Sequence, residues 1–206
     1  MARKKTKDDV MNLRRAQLTE AAYRVVGSKG YYNFTIKDIA VDAGLSTGLV
    51  HYYFKDKQEL LFNLFKNMNS NLKKYLSRAL ASSADPLEKL EIFISQAFSL
   101  VKTEKAYFYI LFDFWSQINR NERMRKANIK LFQSYRDECS SILTEGMKTG
   151  AFRSMDIEYT TTAIISLIQG MIIQHVIDSS AFSYEEFTAH IIRDVKRMVS
   201  AEQKGE

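Results

Sequence analysis

Cysteine occurs once, at Cys139, in a chain of 206 residues. A single thiol excludes an internal disulfide and a cysteine-rich metal site and fits a reducing compartment; Cys139 itself reads as a small buried apolar side chain. Proline also occurs once and glycine eight times, and alternating Val/Ile/Thr runs are missing, so strands have no support and an all-α chain is expected. Histidine is scarce too: His51, His175 and His190 stand far apart, without metal-ligand spacing. There is no glycine-rich phosphate loop, nucleophile elbow or catalytic carboxylate pair, which argues against an enzyme and against a bound cofactor. The opening MARKKTKDD carries basic residues with no apolar stretch behind them, so no signal peptide is expected. The longest apolar run, Ala163 to Ile177, is interrupted by Ser166, Gln169, Gly170, Gln174 and His175 and reads as a poor membrane span. A cytoplasmic location without membrane contact follows.

What the chain does have is 46% hydrophobic residues, enough for a sizeable core, and a formal net charge of +6. The charge is unevenly placed. Residues 1–60 hold eleven Lys/Arg against seven Asp/Glu, and the remaining residues nineteen against seventeen. Arg3, Lys4, Lys5 and Lys7 form a basic arm that is either a solvated tail or, beside a groove-reading helix, a phosphate contact.

Helical periodicity organises most of the chain. Leu18, Ala21, Ala22, Val25 and Val26 share one face of a helix from about Val10 to Ser28, stopped by Gly30. The aromatic run Tyr31, Tyr32, Phe34 is expected to pack under the next helix. Thr35 is an N-cap candidate with Asp38 in the first turn, and a short helix runs from Ile36 to Ala43. Gly44 suits a reversal with positive φ, and Ser46 caps a third helix whose inward residues are Val50, Tyr53 and Phe54. A long helix from Asp56 to Ala81 keeps one apolar face for about 40 Å and would connect an N-terminal module rigidly to a C-terminal one. Asp85-Pro86-Leu87-Glu88 opens a helix to about Thr103, followed by helices over Ala106–Ile118 and Glu122–Thr149. Asp156 and Ser183 look like caps for the last two of nine helices.

Thr47, Gly48, His51 and Tyr52 remain on the outer face of the third helix: small, polar or aromatic, and none acidic. Such a surface suits a DNA major groove better than a catalytic cleft. The order Ala21-Ala22, Gly30-Tyr31, Thr35-Ile36-x-x-Ile39-Ala40-x-x-Ala43-Gly44-Leu45-Ser46-x-Gly48, Val50-His51-Tyr52-Tyr53-Phe54-x-x-Lys57-x-x-Leu60 resembles the TetR/AcrR family of bacterial transcriptional regulators. Phe114-Trp115, Lys148 to Phe152 and Ile168-Gln169-Gly170-Met171 are similar to a subgroup that includes repressors of choline and glycine-betaine uptake genes.

The resemblance implies a nine-helix, two-domain fold with a three-helix helix-turn-helix head at 1–57 and a helical effector-binding and dimerisation body at 58–206. It implies a homodimeric, ligand-responsive regulator, expected to be a repressor, on a palindromic double-stranded operator. A chromosome-organising or cell-division protein of the same fold is the alternative. Carried onto this chain, the family's DNA contacts fall on Thr35, Ser46, Thr47, Gly48, His51, Tyr52 and Lys57. His51 stands where many members carry tyrosine, and would read guanine or add a phosphate contact that weakens as pH rises. The recognition helix holds no arginine, so phosphate contacts and DNA shape are expected to carry much of the affinity.

In the body, Tyr107, Phe108, Tyr109, Phe112, Phe114 and Trp115 occupy more than one helix face. Most of them serve packing. Phe65, Met68, Phe108, Phe112, Asp113, Trp115, Gln169 and Ile172 are the candidates to line a site for an apolar or amphipathic effector, with Asp113 either facing a cationic ligand or an ordinary surface acid. The segment Ala163 to Ile177 is apolar nearly all round, as expected of a helix buried on two sides. Ile164, Leu167, Ile168, Met171 and His175, with Ile191, Val195 and Met198 of the last helix, are the expected dimer surface, a four-helix arrangement with two helices from each chain. Gln169, Gln174 and His175 would find hydrogen bonds there or at the ligand.

Overall fold

The computed structural model describes residues 6–201, and nine α-helices account for most of them. They are α1 (Lys7–Asn33), α2 (Ile36–Asp42), α3 (Thr47–Tyr53), α4 (Lys57–Leu80), α5 (Pro86–Thr103), α6 (Lys105–Trp115), α7 (Glu122–Thr149), α8 (Ile157–Ile177) and α9 (Tyr184–Val199). The caps expected at Thr35, Ser46, Asp85, Asp156 and Ser183 are all in place. Extended pairing among the described residues is limited to one isolated bridge, Phe152 to Ser200. Packing gives two compact units, one of Met1–Asn71 with Ala106–Asn128, the other of Leu72–Lys105 with Ile129–Glu206. This division by contact differs from the division by role after Lys57: the first part of α4, together with α6, packs in the same unit as α1–α3.

In the first unit, Leu18, Ala21, Ala22, Val25 and Val26 of α1 are buried against Ile39 and Ala40 of α2 and Val50 of α3. Gly30 breaks the α1 helix with φ 80°. At Thr35 the capping box is complete: the hydroxyl accepts from Asp38 N–H at 3.2 Å, and Asp38 Oδ2 accepts from Thr35 N–H at 2.8 Å. The α2–α3 turn depends on Gly44, whose φ is +65°. There Leu45 N–H donates to Ala40 O at 2.8 Å and Gly44 N–H to Val41 O at 3.1 Å, a pattern that needs a left-handed residue and that glycine adopts without steric cost. Side chains of α1 lock this motif: Gln17 Nε2 donates to Ala43 O at 2.9 Å, and Arg15 to Tyr53 O at 2.9 Å. Phe34 is buried as expected, but Tyr32 is exposed, its hydroxyl accepting from Gln117 Nε2 rather than packing under α2. α6 reaches α1 closely, since a Cβ built on Gly27 would lie 2.8 Å from Ala106 Cβ.

The second unit packs α5 against α8 and α9. Leu90, Ile94 and Phe98 of α5 are buried, as are Ile164, Ile168 and Met171 of α8 and Val195 and Val199 of α9. Tyr184 donates its hydroxyl to Phe98 O at 3.1 Å, and burial pushes that phenol above its ordinary range. α7 ends at Gly150, φ +77°, and the chain folds back so that the Phe152 ring occupies the space where Gly146 has no side chain. α8 contains an 18-residue window of mean hydropathy 1.4 and is long and apolar enough to cross a membrane, by length and composition only. The shorter stretch read from the sequence understated this. Its inward residues here are packed on α5 and α9.

Candidate nucleic-acid interface

The α3 surface is set by what α3 buries. Val50, Tyr53 and Phe54 point into the first unit, which turns Thr47, Gly48, His51 and Tyr52 outward. Tyr52 is 67% exposed, and its ring meets the buried Tyr53 edge-on at 5.1 Å between centroids, which orients a large amphipathic side chain without covering it. Ser46 accepts from Leu49 N–H at 3.2 Å, leaving its hydroxyl proton available outward. Gly48 has open space around it: the nearest atom to a built Cβ is Ser46 Oγ at 4.0 Å. Glycine costs a helix about 0.5–1 kcal/mol relative to alanine. No close contact among the described residues requires glycine at this position.

Two of the assigned contacts carry structural duties. Lys57 is corrected most: its ammonium donates to Phe34 O at 2.9 Å and Tyr32 O at 3.4 Å and sits 3.9 Å from the Phe34 ring centroid. These contacts fasten the start of α4 to the α1–α2 connection, and partial burial lowers the lysine's pKa from its ordinary value. The Thr35 hydroxyl is engaged with Asp38, both accepting and donating. Lys29, at 2.7 Å, and the Thr35 donors hold Asp38 down to about 2. Sequence reasoning missed Lys37 and Lys55. Both are exposed cations flanking the motif, outside every ion pair among the described residues. Arg24 and Lys29, by contrast, are paired with Asp42 and Asp38. Arg3, Lys4 and Lys5 lie outside the described residues.

In the second unit the expected dimer residues separate into two sets. Ile164, Ile168, Met171 and Val195 are buried within the chain itself and cannot present their side chains to a partner. His175 is half-buried with its ring 4.2 Å from that of Tyr184, and Ile191 and Met198 are half-buried. Leu167 is 47% exposed. With it, Tyr159, Ser166, Gln174 and Ile177 form the outward side of α8, and Ile177 is 77% exposed. Gly170, on the same side, has no atom within 4 Å of a built Cβ. Phe187 adds an exposed ring from α9.

The effector candidates divide by unit. Phe65, Met68 and Phe108 are buried in the first, with Phe65 edge-on to Phe114 at 5.0 Å. Phe112 and Trp115 lie 5.4 Å apart, and they and Asp113 are half-buried. Gln169 and Ile172 belong to the second unit, Ile172 in its core and Gln169 half-buried. Among the described residues no cluster of His, Cys, Asp and Glu could hold a metal ion.

Residues 18–64 match the model for bacterial regulatory proteins of the tetR family, and residues 86–200 that of the BetI-type transcriptional repressor C-terminal region. The chain is 26% identical over 170 residues to the fatty acid metabolism regulator protein of Bacillus subtilis, covering 81% of this chain and 85% of that one. It is 27% identical over 168 residues to the HTH-type transcriptional regulator BetI of Agrobacterium fabrum, covering 82% and 79%. Among solved structures, a transcriptional regulator of Saccharomonospora viridis in complex with choline superposes with TM-score 0.85 at 21% identity, over 93% of this chain and all of that one. The regulator FadR of Bacillus subtilis in complex with stearoyl-CoA gives 0.75 at 23% identity, over 87% and 96%.

Proposed function

The chain belongs to the TetR family of bacterial transcriptional regulators, and from that premise we propose how it works. Two copies associate through the outward faces of α8 and α9 and carry their α3 helices into successive major grooves of a palindromic operator. The half-sites lie about one helical turn, roughly 34 Å, apart. Tyr52, His51, Thr47 and Ser46 face the DNA, Gly48 lets α3 sit deep, and Lys37, Lys55 and the basic arm neutralise phosphate. The observation that carries this reading is the outer face of α3, exposed and free of acidic residues around a glycine that the chain's own packing does not require.

A small-molecule effector releases the repressor by favouring a dimer whose heads do not match the operator spacing. Its binding reaches the head through α6, which packs with α1 in one unit at Gly27 and Ala106, as well as through α4. Relatives are known with choline and with stearoyl-CoA, so both compounds are first candidates. The protein has no catalytic role and works in the cytoplasm. A chromosome-organising role is not favoured, since the relatives matching about four fifths of the chain are a metabolic regulator and BetI regulators.

The reading is tested by selecting an operator from random duplexes and titrating it by fluorescence anisotropy at several salt concentrations. A dimer that neutralises about eight phosphates gives a log–log slope of about −7. A complex insensitive to salt would overturn the proposed binding mode.

A further inference from the structure

Two buried amide oxygens of the first unit, on Asn69 and Asn128, have no hydrogen-bond partner among the described residues. Asn128, on α7, is 5% exposed, and its Nδ2 donates to Met124 O one turn earlier at 3.0 Å. That bond fixes the amide, so Oδ1 faces away from the helix backbone, buried and accepting from no group of the described residues. Asn69 on α4 is half-buried as a residue, but its Oδ1 atom is likewise buried and accepts from no group of the described residues. Both residues continue apolar inward stripes, Asn69 one turn after the buried Phe65 and Asn128 one turn after the buried Met124. Their helices touch within the unit, where the Arg123 guanidinium lies 3.8 Å from the Phe62 ring centroid. A core built only for stability would place leucine or methionine at both positions, because an unsatisfied buried acceptor is destabilising and an apolar replacement of similar shape removes the deficit.

We propose that Asn128 and Asn69 are the polar recognition points of the effector site, accepting hydrogen bonds from a small molecule that carries an O–H or N–H donor. The inference rests on the reading of the chain as a ligand-responsive regulator. Two carbonyl oxygens present partial negative charge into an apolar interior. They attract an alcohol or an ammonium compound and repel a carboxylate, which offers only further acceptors.

The test uses the full-length protein and isothermal titration with choline and ethanolamine as donor probes, and glycine betaine as the acceptor-ended counterpart of choline. Binding of at least one donor probe and no binding of glycine betaine is expected. Asn128→Leu should weaken donor-probe binding at least tenfold, while the ligand-free variant melts at or above the wild-type temperature. Asn69→Leu, on a different helix, should repeat both effects. Wild-type protein that binds neither donor probe, or binds glycine betaine equally, would overturn the proposal. So would unchanged affinity in both variants, or a lower melting temperature in both, which would give the amides a structural role. Operator affinity, measured alongside without ligand, separates the two levels: its absence in the wild type defeats the regulator reading itself.

Discussion

At Gly48 helix stability and the proposed DNA contact pull in opposite directions, which makes the residue a sensitive probe of that proposal. Its Cβ space is empty, so Gly48→Ala should stabilise the free protein by up to about 0.5–1 kcal/mol, the usual helix preference. The added methyl stands between the α3 backbone and the groove floor, so operator affinity should fall about tenfold. Chemical denaturation and anisotropy on the same variant check both signs; a loss of stability would mean that α3 is shaped by contacts within the chain. The exposed face of α3 was legible beforehand because helix periodicity assigns Val50, Tyr53 and Phe54 inward and leaves its complement. The role of Lys57 was not legible. It is set by the carbonyl of Phe34, 23 residues earlier, and no local pattern announces a partner so distant in sequence. Asn69 and Asn128 had a signal that went unused: each is a polar residue at an apolar position of its helix stripe.

Among elements, α6 is the one whose placement is least evident from its sequence. Its aromatic density suggests core without saying whose, and its packing with α1–α3 depends on a small-residue contact at Gly27. A methyl at Gly27 would come within 2.8 Å of Ala106 Cβ, which cannot rotate away. Gly27→Ala should therefore destabilise the protein by about 1–3 kcal/mol through overpacking. Adding Ala106→Gly should recover most of the loss, a coupling that a double-mutant cycle in urea measures. Additive losses would place the two residues out of contact. Element boundaries were legible wherever a cap and a breaker coincide: Asp85-Pro86 opens α5 and Gly150 closes α7, as their chemistry requires. In α8 the sequence pattern fails for a physical reason. A helix apolar on all sides carries no information about which stripe meets its own chain and which meets a partner. Burial divides them, giving Ile164 and Ile168 to the chain and Leu167 and Ile177 to the outside.

For the whole molecule, the division within α8 becomes a statement about assembly. Leu167→Glu combined with Ile177→Glu places like charges on both copies of a self-complementary face, so the dimer should dissociate in sedimentation velocity while the monomer stays folded. Ile164→Val, inside the chain, should cost about 0.5–1.5 kcal/mol of stability and leave the dimer intact. A dimer that survives the double glutamate substitution would move the interface elsewhere. In the proposed dimer assembly matters, because a single head would offer only one short helix and paired half-sites would multiply its affinity.

Everything returns to whether the outer face of α3 reads DNA, and Tyr52 is its largest exposed side chain, supported from below by Tyr53. Operator affinity of Tyr52→Ala by fluorescence anisotropy, with the melting temperature of the same sample, is the decisive measurement. A loss of tenfold or more with the melting temperature unchanged is expected; wild-type affinity in the substituted protein would contradict the assignment of α3 as the reading surface.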